Sequence, residues 1–131
     1  MKKVLKILLL IIISISIVGC KKVEEENKKN YEGYIKIEEA NLTSDVADKT
    51  VLVRFDGVLY GKSFTMVDYK GGQQPLGKIE VLIDEIYVPK FDKETNNKDL
   101  LNASIYDDTH RTIILEYNNE FVIFEKIEES N

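Results

Sequence analysis

One cysteine, one histidine, no tryptophan and two prolines occur in 131 residues. A single cysteine excludes an internal disulfide, so an apolar core alone must hold the fold. A single histidine, His110, excludes a zinc site built on a histidine pair. Basic residues are in the minority, 18 Lys and Arg against 23 Asp and Glu. No basic stripe offsets that balance, which excludes a nucleic-acid binder. Long apolar runs are scarce too. The one candidate, Val4 to Val18, spans 15 residues and is broken by Lys6, Ser14 and Ser16. A bilayer-spanning helix needs about 20 mostly apolar residues, so this run predicts no permanent transmembrane helix.

The same run has another use. It follows the basic start Met1-Lys2-Lys3 and ends in small residues before a cysteine, the three parts of a secretory signal. The string Ile17-Val18-Gly19-Cys20 resembles the lipobox of bacterial lipoproteins. That resemblance implies removal of residues 1–19 and a diacylglyceryl group, with palmitate-type chains, on the Cys20 sulfur. Two acyl chains suffice for stable membrane attachment. The expected location is the extracytoplasmic face of the cell membrane, within the cell envelope. Loss of residues 1–19 removes three lysines and leaves 15 basic against 23 acidic residues, a net charge of −8. A body this acidic is repelled by an anionic bilayer, so the lipid would supply the attachment. Residues 20–30 then form the lipidated cysteine and a flexible tether, because Lys21 to Asn30 buries too little to offset the entropy of ordering. Residues 31–128 form one small domain, long enough for a single core.

All 12 aromatic residues, seven Tyr and five Phe, lie in that domain. With many β-branched residues they suit pleated, half-buried surfaces. Period-two alternation predicts a first strand over Tyr31 to Glu39 and another over Thr50 to Phe55, with a polar loop or one helical turn over 41–49 between them. Asp56-Gly57 then predicts a tight hairpin, since both positions need positive φ. The return strand runs Val58 to Val67, with Gly61 marking a bulge or close approach. Residues 76–87 fit either a helix face (Leu76, Ile79, Leu82, Ile83, Ile86) or a strand face (Ile79, Val81, Ile83, Tyr87). Gly77 and the Ile/Val content favour strand, and Pro89 ends either form. A polar loop over 90–99, a strand from Leu100 to Tyr106, a turn at Asp107 to His110 and a closing hairpin follow. In that hairpin, Asn118-Asn119 pairs Leu115 with Val122, Ile113 with Phe124 and Ile114 with Ile123. Both its faces are apolar, so it should be central. The whole is mainly β: a small antiparallel open barrel or curved sheet of six or seven strands. The pieces Gly77-Lys78-Ile79, Glu94-Thr95-Asn96, Ile105-Tyr106 and Ile113 to Phe124 are similar to small domains of secreted bacterial proteins, which implies an all-β fold and no particular activity.

Several strings imitate functional motifs. Gly57 to Ser63 ends in Gly61-Lys62-Ser63 like a phosphate-binding loop, but three residues separate the glycines where four are required. Asp92, Glu94 and Asn96 begin like a calcium loop, but Asn97 stands at its glycine position and Ala103 at its closing glutamate. Asp107, Asp108 and His110 are explained by a turn, and Ser63 and Ser104 have no evident His–Asp arrangement. No catalytic set, metal site or cofactor is expected. Tyrosine presents rigid area with a polar tip. Tyr60, Tyr69 and Tyr87 flank the tract Lys70 to Pro75 and are the expected recognition rim. These features predict a non-enzymatic module that binds a protein or small ligand at the cell surface, inhibition of a basic cell-wall hydrolase being one such role. The alternative is a structural or accessory subunit of a cell-envelope complex.

Overall fold

A computed structural model describes residues 29–66, 73–109 and 111–130. The chain divides into two compact units, residues 1–32 and 33–131, and every strand described lies in the second. Its strands are Leu42–Thr43 (β1), Ala47–Phe55 (β2), Val58–Met66 (β3), Gly77–Lys78 (β4) and Val81–Leu82 (β5). Glu94–Thr95 (β6), Ser104–Thr109 (β7), Thr112–Tyr117 (β8), Glu120–Lys126 (β9) and Glu128–Glu129 (β10) complete the set. Eight strands, in the order β4-β7-β8-β9-β3-β2-β6-β5, form an open, strongly curled half-barrel. β1 and β10 pair separately.

The two long hairpins follow from their turns. Asp56 and Gly57 take φ of 51° and 77°, and Asn118 and Asn119 take 52° and 61°. Each dipeptide therefore reverses the chain with the twist that suits flanking strands. The β8–β9 register is the expected one, with Ile113 opposite Phe124, Ile114 opposite Ile123 and Leu115 opposite Val122. Ile113, Ile114 and Leu115 are all buried, so both faces of the hairpin are covered, as its position inside the sheet requires.

Pleating divides the core. Val53 and Tyr60 point into one cluster with Ile79, Ile105, Leu115 and Phe124. Their neighbours Leu52 and Leu59 point to the opposite face and pack with Ala47, Val88 and Ile127. Arg54 ties this second face together. Its Nε donates to the Pro89 carbonyl at 3.1 Å, and its two terminal nitrogens grip the Glu129 carboxylate at 2.9 and 2.7 Å. Gly61 lies where β3 runs closest to its neighbours, opposite a break in the β2–β3 register between Asp48 and Leu52.

Residues 76–87 are extended and form no helix. A helix would have buried Leu76, Leu82 and Ile86, which are 54%, 40% and 47% exposed. Extension lets this one segment hold both edges of the sheet. At one edge Leu76 N–H donates to the Ile105 carbonyl and Ile79 N–H to that of Ala103, at 2.7 and 3.0 Å. At the other, Val81 N–H reaches the Lys93 carbonyl at 3.2 Å and Ile83 N–H the Thr95 carbonyl at 2.8 Å. Ile79, fully buried between the two, anchors the strap in the core.

Other boundaries differ from expectation. Tyr31 to Glu39 is not a sheet strand. Ile37–Glu39 form a 3-10 turn, and Lys36 makes an isolated bridge to Tyr87. Ile37 N–H donates to the Ile86 carbonyl and Val88 N–H to that of Ile35, so the segment pairs with the strap's continuation instead. Residues 41–49 contain β1 and the start of β2 rather than a loop alone. Lys98–Leu100 form a 3-10 turn, and β7 begins at Ser104 and runs through Asp107 to Thr109. The sheet thus holds more strands than six or seven, the added ones being two-residue pieces too short to show alternation.

Candidate functional site

The largest departure from the sequence reading is at Glu94-Thr95-Asn96, expected in a solvated loop and here 2%, 0% and 3% exposed. Burial of such groups requires partners, and each has them. The Glu94 carboxylate accepts from the Lys90 and Phe91 amides at 2.9 and 2.8 Å and from the Tyr34 hydroxyl at 2.7 Å. Thr95 Oγ1 donates to the Leu52 carbonyl at 2.8 Å. Asn96 Oδ1 accepts from Leu52 N–H at 2.9 Å, while Nδ2 donates to the carbonyls of Thr50 at 2.9 Å and Glu85 at 3.3 Å. Side chains thus complete the ladder beside the β2 irregularity. Asp92 is used differently, accepting from the Asp56 amide at 2.8 Å. The calcium-like string is therefore spent on structure, and no group of three or more metal-ligating side chains occurs among the described residues.

Asn96 also fixes the wall of a groove of about 940 Å³. The wall is the turn that follows β5, held by Asn96 at the Glu85 carbonyl and by Asp84 Oδ1, which accepts from Ile86 N–H at 3.2 Å. Asn97, Lys98 and Asp99 also line it, at the start of the 3-10 turn Lys98–Leu100, which Asn97 Oδ1 caps by accepting from Asp99 N–H at 2.9 Å. Leu82 and Ile86 supply exposed apolar surface, with Ile37 and Ile83 beside them. Around it stand four carboxylates (Glu38, Asp84, Glu85 and Asp99) against two ammonium groups, Lys36 and Lys98. A lining of exposed apolar side chains with more carboxylates than ammonium groups equips the groove to hold a segment that is partly apolar and partly cationic. Its residues come from four separate stretches, so no local pattern marks it.

Of the three tyrosines expected at a rim, two are described. Tyr60 is 6% exposed and belongs to the core, the reason being its position on the inward face of β3. Tyr87 is half-buried and packs edge-on against Tyr34, with ring centres 6.2 Å apart. Tyr69 lies outside the described residues, as do Cys20 and His110. Ser63 is buried, and the phosphate-loop look-alike is simply strand β3.

Burial pushes the Tyr60 hydroxyl above its ordinary value of 10.0, helped by the negative charges of Asp107 and Asp56. The folded state therefore holds this proton more tightly than the unfolded chain. That stabilisation is complete below the ordinary tyrosine value and is lost as pH rises past it towards the folded value. Urea unfolding of wild type and Tyr60→Phe should consequently show a steeper loss for wild type as pH rises past the ordinary tyrosine value. Parallel pH curves would contradict it.

No helix among the described residues is long and apolar enough to cross a membrane. No protein-family model matches the chain, and no curated protein or solved structure matches it.

Proposed function

We propose that this chain is an extracytoplasmic lipoprotein, held at the cell membrane through lipid on Cys20, whose acidic β domain binds a protein or small ligand by contact and catalyses no reaction. The observation that carries the binding role is the groove, lined by apolar side chains with four carboxylates against two lysines. Anchorage is supported by the lipobox-like string and by the polar stretch Lys21 to Asn30 before the domain. A basic protein such as a cell-wall hydrolase is the partner whose charge complements both the groove and the whole chain. Screening confines the carboxylates' attraction to roughly 8 Å at physiological salt, so the partner must enter the groove for the charges to count.

The test uses a basic lysozyme as probe against the full chain. Wild type should retain it at low salt, and the double variant Glu85→Lys/Asp99→Lys should lose about tenfold or more in affinity. Equal retention by both would show that the groove is not the site. A membrane-complex neighbour bound at the same groove would instead make the chain an accessory subunit.

A further inference from the structure

We propose that the groove receives an extended, Lys- or Arg-bearing segment of the partner, which adds as a strand to the free edge of β5. This deepens the proposed binding role and rests on it. Among the described residues β5 ends the sheet and pairs only with β6. Val81 and Ile83 turn their N–H groups to that neighbour, onto the carbonyls of Lys93 and Thr95. Backbone groups alternate sides along a strand, so Leu82 between them presents its N–H and C=O away from β6. An edge of this kind is a template for another strand, and proteins usually blunt it by brevity or with Pro, Lys or a bulge; β5 is brief, at two residues. Val81–Leu82 has neither residue type, and both side chains are 40% exposed.

The charge pattern selects the occupant. Leu82 lies in the groove with Ile86, while Glu85 and Asp99 also line it. A segment that alternates apolar and basic residues would bring one kind to Leu82 and Ile86 and the other to the carboxylates. An acidic segment would be disfavoured by a lining of four carboxylates against two lysines, and a purely apolar one would gain nothing from that charge. Affinity would come from the backbone pairs at Leu82, and selectivity from the carboxylates.

The probe is a capped synthetic peptide of about eight residues alternating Lys and Val, long enough to pass the groove at about 3.3 Å per residue. Binding is followed by fluorescence polarisation with the full chain. Two further peptides carry N-methyl groups on one or the other alternate set of backbone nitrogens. One methylated peptide should weaken by about tenfold and the other by much less, because only one set of N–H groups faces β5. Leu82→Pro removes the outward N–H without touching the β5–β6 ladder and should weaken the unmethylated peptide similarly. Equal binding of all three peptides would overturn strand addition. Failure of every peptide would overturn it too, while groove-dependent retention of lysozyme would leave the broader binding role standing.

Discussion

Asn96→Ala is expected to cost about 3 kcal/mol, the scale set by leaving buried backbone groups without partners. Asn96 is 3% exposed and serves the Leu52 N–H and the Thr50 and Glu85 carbonyls at once. Leu52 itself is fully buried, so water cannot replace the lost acceptor. For a domain of this size the melting temperature should fall by about 12–20 °C. Asn96→Asp keeps an acceptor for Leu52 but loses both Nδ2 donors and points a charge at the Thr50 carbonyl, so it should also destabilise. Calorimetry of the three proteins checks this. A loss under about 1 kcal/mol for Asn96→Ala would mean that the side chain does not bridge β2, β6 and the groove wall.

The second large effect comes from adding atoms rather than removing them. A Cβ on Gly61 would lie 2.5 Å from Ile127 Cδ1 and 2.6 Å from the Asp48 carbonyl oxygen. The isoleucine tip can swing aside, but the carbonyl belongs to β2, and only parting β2 from β3 relieves it. Gly61→Ala should therefore cost about 2 kcal/mol and Gly61→Val about 3, as overpacking does in close-packed interiors. Because the obstacle is backbone, pairing Gly61→Val with Ile127→Ala should recover little of the loss. Full recovery in urea unfolding would show that the side chain was the whole obstruction.

Sequence alone reached the parts of the fold that local chemistry dictates. Asp56-Gly57 and Asn118-Asn119 are dipeptides that tolerate positive φ, and the alternation beside them is long enough to set register, down to Ile113 opposite Phe124. The crowding at Gly61 was visible as a glycine inside a strand pattern. Residues 76–87 were legible as extended but not as a strap, since two-residue strands carry no period and only the curled sheet brings both edges within reach. Glu94-Thr95-Asn96 was misread because polarity normally means solvent. Its burial depends on unpaired backbone at Leu52, forty-odd positions away, which no local pattern reports. Tyr60 was misassigned for a related reason, its strand face becoming inward only once β3 lies between β2 and β9. The groove was invisible for the same cause on a larger scale, being made wholly by tertiary juxtaposition.

The claim that this acidic body acts by charge-complementary contact at the groove is tested most directly by the salt dependence of lysozyme affinity for wild type and Glu85→Lys/Asp99→Lys. Wild-type affinity should fall steeply between about 50 and 300 mM salt as the carboxylates are screened, and the variant should be weaker at low salt with a much flatter dependence. Identical slopes for the two proteins, or wild-type binding indifferent to salt, would contradict the account.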